Sequence, residues 1–192
     1  METSKPKKIS SLKDHFLLAM PGLNDPTFSD SVVYICEHNS EGAMGLIINQ
    51  QMDIPVKAIF DQLKLEYQDD CARPLLFDGG PVQRDRGFIL HARCDQEWES
   101  TLAISDEISL TASRDILSDM AMGKGPKNSL VTLGYSRWDA GQLERELGEN
   151  SWLTIPADAE IIFNTDCAQR ASAAALSIGL DLRRLSHQAG HA

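Results

Sequence analysis

The chain has 192 residues and a formal net charge of −10, with 42% hydrophobic and 24% charged residues. This length and composition are typical of one globular domain that buries about 70% of its unfolded surface without needing disulfides or a structural metal. The first 13 residues carry +3 and the remainder carries −13, so most of the surface repels a phosphate backbone and direct nucleic-acid binding is disfavoured.

The cysteine pattern and the apolar runs predict the cell compartment. The 4 cysteines lie far apart without CxxC spacing, which favours reduced thiols over a disulfide framework or a zinc site. The apolar segment 16–20 follows several lysines, but it is shorter than the core of a signal peptide and ends at Pro21-Gly22. No apolar run approaches the roughly 20 residues of a membrane span. We therefore expect a soluble, cytoplasmic protein.

The amino-terminal half begins with strands. Residues 1–13 are expected to form a flexible basic arm, because a short terminus rich in Lys, Ser and Pro is usually solvated. Strands are predicted at His15–Met20, Val32–Cys36 and Leu46–Ile48. The second and third are too apolar for simple alternation, so we expect them to be buried on both faces. A polar turn that contains two glycines joins them.

A helix is predicted next, over residues 53–64. Asp53 has the residue type of an N-cap, and Pro55 suits the first helical turn. The predicted buried face, at helical spacing, consists of Val56, Ile59, Phe60 and Leu63. A loop over 66–73 then leads to strands at Leu75–Phe77 and Phe88–His91, with the turn Asp78-Gly79-Gly80-Pro81 between them.

The carboxy-terminal half alternates short strands and helices. Two edge strands are predicted to pair, at 102–104 and 107–110, and further strands are predicted at 130–135, 152–155 and 161–163. Helices are predicted to follow three caps, at Ser113, Asp139 and Thr165 or Asp166.

The order of these elements predicts the fold class. They show no regular βαβ rhythm, and several connections are too short for helical crossovers. We therefore expect a single α+β domain over 14–184 with a mixed or mostly antiparallel sheet, followed by a mobile tail over 185–192.

Two motif-like stretches lack residues that their chemistry requires. Residues 122–126, Met-Gly-Lys-Gly-Pro, cannot complete a phosphate loop because Ser118 stands where the pattern needs its first glycine. Ser136 follows a predicted strand, but Gly-Tyr-Ser-Arg-Trp misses the second small residue of a nucleophile elbow. We interpret the first as a helix end and Ser136 as a structural serine.

Polar residues at predicted strand ends are the candidates for chemistry. Glu37 and His38 carry groups that transfer protons, and so do Glu144 and Glu146. Metal ligands could come from Glu37, His38, Asp78 and His91, or from His187 and His191 in the tail. None of these sets has the spacing of a characteristic metal site, and hydrogen-bonding or surface roles account for them more simply. We therefore predict neither a metal nor a cofactor.

Several stretches together resemble the YqgE/AlgH family of bacterial proteins. They are LLAMPGLNDPTFSDSVVYICEHNSEGAMGLIIN at 17–49, FDGGPVQRDRGFILH at 77–91, LGYSRWDAGQLERELGENSWL at 133–153, and the closing GLDLRRLSHQAGHA. The resemblance implies an α+β fold with a bifurcated sheet, partly closed into a small barrel and flanked by helices. One departure is Ala171, which follows Arg170 where the family often has a tryptophan. The resemblance links the chain by name to the regulation of alginate production, and it transfers no catalytic residue.

The predicted function is that of a cytosolic regulatory or binding protein without its own catalysis, which contacts a protein or a small molecule. The candidate binding surface consists of Glu37, His38, Asn49, Asp78, Gly79, Gly80, Arg86 and Tyr135. One alternative is a hydrolase-like enzyme that uses Glu37 and His38 or a bound metal. A second alternative is a regulator that binds DNA directly.

Overall fold

The computed structural model describes residues 10–184. Its strands are β1 (His15–Ala19), β2 (Val32–Asn39), β3 (Gly42–Ile47), β4 (Gln51–Pro55), β5 (Leu75–Asp78), β6 (Val82–Ala92), β7 (Thr101–Ala103), β8 (Ile108–Thr111), β9 (Ser129–Asp139) and β10 (Trp152–Pro156). Its helices are α1 (Lys57–Gln62), α2 (Asp69–Ala72), α3 (Arg114–Ala121), α4 (Gln142–Gly148), α5 (Ala159–Phe163) and α6 (Arg170–Ser177), and a 3₁₀ turn at Cys167–Gln169 precedes the last of them. No helix within this range is long and apolar enough to cross a membrane.

The strands form one curled sheet in the order β10-β1-β2-β3-β9-β6-β8-β7, and every pairing along this path is antiparallel. The sheet divides at β9. One edge of β9 pairs with β6, while its other edge pairs with β5 in parallel at 132–133 and with β3 at 136–139. The predicted α+β class is confirmed, and so are the bifurcation and the partly barrel-like curl.

Side chains cover both faces of the sheet. In β2, Val32 and Tyr34 pack into a cluster with α5 and α6, while Val33 and Ile35 pack into a second cluster beneath α4. A third cluster joins α1 and α3 to the outer face of β6 and β9. The prediction that the strand at 32–36 is buried on both faces is confirmed, because all five of its residues are buried.

The predicted arm and tail fall largely beyond this range. Residues 1–9 and 185–192 lie outside the described residues, so the flexible arm and the mobile tail stay predictions. At the end of the predicted arm, Leu12 is 8% exposed and packs into the cluster beneath α4.

The structure corrects the predicted start of the first helix. Asp53 does not cap a helix, because Gln51–Pro55 is strand β4, which pairs antiparallel with β5. The helix begins only at Lys57, after the Val56 N–H has donated to the Pro74 carbonyl. Of the predicted buried face, Val56 and Phe60 are 2% and 0% exposed, while Ile59 and Leu63 are half-buried.

Three further boundaries were wrong. The predicted strand at 161–163 is helix α5, whose cap Asp158 accepts a hydrogen bond from the Glu160 N–H at 2.8 Å. Asp139 ends β9 instead of capping α4, which begins after Gly141. The predicted loop over 66–73 contains the short helix α2. In α5 the local cap outweighed the strand propensity that the prediction used.

Two strand predictions needed extension or relocation. Strands β2 and β3 continue through the predicted polar turn, so that the connection is only residues 40–41. Strands β7 and β8 pair as predicted, but β8 lies between β6 and β7 and is not at the edge.

Candidate functional site

An open groove of about 440 Å³ lies between the β2–β3 hairpin and strands β6 to β8. We call it the hairpin groove. Its apolar floor consists of Met44, Phe88, Leu102, Leu110 and Tyr135. Charged residues line its rim, namely Glu37, Glu41, Arg86 and Arg137.

A β-bulge directs Glu37 into the groove. Ile35 pairs with Gly45 and Glu37 pairs with Met44, so Cys36 is the extra residue. Such a bulge places two successive side chains on one face of the strand. Cys36 therefore packs into the core beside Tyr34, and the next side chain, Glu37, lines the groove. Burial raises the pKa of the Cys36 thiol, which keeps it protonated and unreactive.

The rim charges are available to a ligand. Within residues 10–184, no ion pair is formed by Glu37, Glu41 or Arg86. The Arg86 guanidinium lies over the Phe88 ring, 5.4 Å from its centroid, and Arg137 approaches Asp139 at 3.8 Å. Exposed pairs at such a distance contribute little, so these side chains are free to reorient.

Tyr135 connects the apolar floor to the polar rim. Its ring packs edge-on against Phe88, with centroids 5.4 Å apart. Its hydroxyl has no hydrogen-bond partner among the described residues. Of the eight predicted surface residues, the structure brings together Glu37, Arg86 and Tyr135 in this groove.

His38 faces the opposite side of the sheet. The Leu12 N–H donates to its Nδ1 at 2.9 Å, so Nδ1 is unprotonated and Nε2 donates to Glu144 Oε1 at 2.9 Å. The side chain is 4% exposed. Burial acts to raise the pKa of Glu144, but hydrogen bonds from its own backbone N–H and from His38 outweigh burial and lower it. Glu37 and His38 therefore do not meet, and His38 anchors the chain at Leu12.

Asn49 has a structural role. Its Oδ1 accepts from the Val32 N–H at 2.8 Å, and its Nδ2 donates to the Asp30 carbonyl at 2.9 Å. Both of its polar atoms are thus used to hold the start of β2. The prediction that Asn49 lines a binding surface is not supported by its position.

The Asp78-Gly79-Gly80 turn is also a packing device. The Gly79 N–H donates to the Leu133 carbonyl, and the Gly79 carbonyl accepts from the Ile47 N–H. Asp78 pairs with Arg84 and accepts from the Gly80 N–H. These bonds join the end of β5 to β9, β3 and β6, and the turn lies outside the hairpin groove.

The remaining acid–base candidates are tied into the core. Glu146 Oε2 accepts from the indole N–H groups of Trp138 and Trp152, at 2.9 and 2.8 Å. Ser136 is fully buried and donates to the Gly79 carbonyl at 3.2 Å, in the structural role predicted for it.

The metal candidates do not converge. Within residues 10–184, no three His, Cys, Asp or Glu side chains come together in a group that could hold a metal ion. His187 and His191 lie outside the described residues. His91 is 2% exposed, and its Nδ1 donates to the Ala92 carbonyl while Nε2 accepts from the Thr111 hydroxyl.

This environment makes stability depend on pH. Burial lowers the pKa of His91 from 6.5, and the hydrogen bond to Ala92 only partly opposes the shift. The unfolded chain then binds a proton at His91 more readily than the folded chain, so the free energy of unfolding falls as pH drops below about 6.5. Urea unfolding at pH 7.5 and 5.5 measures this loss. We expect His91→Gln to reduce it, and an unchanged pH slope in the variant would contradict the assignment.

Most residues that line the hairpin groove could not be predicted from the sequence. Its floor consists of apolar residues such as Phe88 and Leu110, which resemble ordinary core in a sequence. Arg137 was the detectable member, because it alternates with Tyr135 along β9 and so shares its face. Nothing local indicates that these strands curl toward the β2–β3 hairpin.

Known proteins share the sequence of this chain over nearly its whole length. The profile of the AlgH-like family matches residues 16–183. The chain belongs to the AlgH-like family. It is similar to a UPF0301 protein of Saccharophagus degradans, 52% identical over 182 residues that cover 95% of this chain and 89% of that protein. A second UPF0301 protein, from Thioalkalivibrio sulfidiphilus, is 49% identical and covers 95% of this chain and 98% of its own.

Solved structures carry the same AlgH-like fold. The solution structure of the AlgH protein from Pseudomonas aeruginosa matches with a TM-score of 0.77 and 44% identity, over 100% of both chains. A crystal structure of a Corynebacterium diphtheriae protein matches with a TM-score of 0.70 over 97% of this chain and 94% of that one, but at 16% identity it shows the fold alone. The predicted resemblance to the YqgE/AlgH family is thereby confirmed.

Proposed function

We propose that this protein is a regulatory binding module that acts through the hairpin groove and performs no catalysis of its own. The observation that carries the proposal is an open apolar floor beneath charges of both signs that have no strong partner in residues 10–184. Binding surfaces combine an apolar contact area with a few polar groups that orient the ligand.

The arrangement of the charges favours a short extended peptide segment of a partner protein. Glu37 is on β2 and Arg137 is on β9, with Met44 of β3 between them. Two strand spacings separate acid from base, which is about 10 Å. An extended chain advances about 3.3 Å per residue, so a segment of roughly three residues spans this distance. The segment would place a basic group near Glu37, an acidic group near Arg137 and apolar side chains between them.

The test compares end-blocked peptides in a thermal-shift assay. Peptides with Lys and Glu flanking two apolar residues should raise the melting temperature, and peptides with two charges of one sign should not, because only the first kind pairs both rims. Charge reversal by Arg137→Glu should weaken binding about tenfold or more. The matched control is Arg73→Glu, since Arg73 is exposed at the carboxy-terminal end of α2 and does not line the groove.

Two results would contradict the proposal. If groove variants bind the peptides as tightly as the parent protein does, the hairpin groove is not the binding site. Chemical conversion of a bound compound would remove the non-catalytic part, because a binding module leaves its ligand unchanged.

The two alternatives stay predictions without a supporting observation in residues 10–184. A hydrolase that pairs Glu37 with His38 meets the difficulty that their side chains lie on opposite faces of the sheet. Direct DNA binding would be tested by a gel shift at moderate salt.

A further inference from the structure

Arg170, the first residue of α6, is a buried charge that has no carboxylate partner in the part of the chain that the structure describes. It is 5% exposed, and no Asp or Glu within residues 10–184 lies within ion-pair distance of it. Asp166 and Cys167 act on the guanidinium only from farther away, and burial lowers the pKa of Arg170. Burying a charge is strongly unfavourable unless a counter-charge or hydrogen bonds compensate.

Part of the guanidinium is satisfied by the protein. Nε donates to the Thr165 carbonyl at 3.1 Å, Nη1 donates to the Ile48 carbonyl, and the group stacks on the Phe77 ring at 5.1 Å. Nη2 donates to no residue that the structure describes. Both acceptors are neutral, so no carboxylate among the described residues is hydrogen-bonded to the guanidinium.

The side chain of Arg170 lines a second cavity, separate from the hairpin groove, with a volume of about 240 Å³. Its walls are mostly apolar, and its polar members besides the arginine are Gln51, Cys71 and Ser129. Of the described residues that line it, Arg170 alone carries a formal charge at neutral pH. A cavity of about 150 Å³ can hold a benzene molecule, so this one has room for a ring with a carboxylate.

We infer that this cavity binds a small organic carboxylate with an apolar body, with the carboxylate against the free edge of Arg170 and the body against Phe77, Met120 and Leu130. A guanidinium recognises a carboxylate by charge-assisted hydrogen bonds. Inorganic phosphate is a poorer fit, because apolar walls cannot replace the hydration of its remaining oxygens.

Benzoate is the probe, and benzamide is its neutral control of the same shape. Cys71 lines the cavity, whereas Cys94 is exposed outside it, so the protein carries its own reporter and reference. At ten times its Kd, benzoate should slow alkylation of Cys71 by iodoacetamide about tenfold and leave Cys94 unchanged. Mass spectrometry of the two peptides measures both rates, and benzamide should protect Cys71 far less.

Two variants place the effect in the cavity. Arg170→Met should abolish protection by benzoate, but it also removes the hydrogen bonds to Thr165 and Ile48 and can impair folding. Cys71→Phe fills the cavity without altering Arg170, and it should abolish the rise in melting temperature that benzoate causes. Tyr135→Ala changes the hairpin groove and should leave benzoate binding intact. Peptide binding in the groove and benzoate binding in the cavity can therefore be tested independently of each other.

Three results would overturn the inference. They are unchanged alkylation of Cys71 at saturating benzoate, equal protection by benzamide, and a benzoate-dependent melting shift that persists in folded Cys71→Phe. Equal protection by benzamide would show that the charge of Arg170 plays no part in recognition.

Discussion

Gly80→Ala is expected to destabilise the protein by about 4 kcal/mol or more, which is at the extreme of single substitutions. Gly80 is buried with φ of +146°, a conformation that only glycine adopts readily. A Cβ there would lie 2.3 Å from the Tyr135 carbonyl carbon, which belongs to the backbone of β9. That backbone cannot move away easily, because β9 pairs with strands on both of its edges.

Two glycines provide matched controls for this prediction. Gly141 also has a positive φ, of +74°, but nothing lies within 4 Å of its added Cβ, so Gly141→Ala should cost only about 1–2 kcal/mol. Gly22 has neither feature, and Gly22→Ala should stay within about 0.5 kcal/mol. Urea unfolding gives all three values. A Gly80→Ala protein no less stable than Gly141→Ala would contradict the contact with β9.

Glu146→Ala is expected to destabilise the protein by about 3 kcal/mol. Its Oε2 accepts from two indoles, those of Trp138 and Trp152, which are 3% and 5% exposed. Removing a charged acceptor leaves both N–H groups buried without a partner, at about 1–3 kcal/mol each. The two rings pack edge-on with centroids 5.9 Å apart, so their packing should loosen together.

The controls separate the lost acceptor from the lost charge. Glu146→Gln keeps a carbonyl oxygen toward the indoles and should cost only about 1 kcal/mol. Glu149→Ala removes an exposed carboxylate just beyond α4 and should be nearly neutral. Unfolding followed by tryptophan fluorescence measures stability and the environment of the indoles at once. Equal effects of the Ala and Gln substitutions would show that the hydrogen bonds are not the cause.

Local patterns predicted most strands because burial constrains them strongly. The run Val32–Cys36 is apolar at every position, which is expected only where both faces of a strand are covered. The errors arose where a distant partner decided the outcome. Asp53 has the residue type of a helix cap, yet its segment is a strand because β5 lies beside it. The segment 161–163 has strand propensity, yet Asp158 caps it as a helix.

The candidate site was predicted only in part, for the same reason. Glu37, Arg86 and Tyr135 lie at or near predicted strand ends, which predicts them on a binding surface, and they do line the hairpin groove. His38 and Asn49 were chosen on the same grounds, but their polar atoms are used within the fold. Glu37 and His38 point to opposite faces by ordinary strand alternation, and the extra residue Cys36 decides that Glu37 is the one that faces the groove. No propensity predicts where such a bulge will fall.

By itself, the sequence determined the family, the α+β class and the buried strands, because these depend on composition and on apolar spacing along the chain. The tertiary structure alone decided what the polar residues do. The Gly79-Gly80 turn became a close backbone contact with β9, and Arg170 became a buried charge beside a cavity. The role of a polar side chain depends on which distant carbonyl, carboxylate or void the fold brings within hydrogen-bonding distance of it.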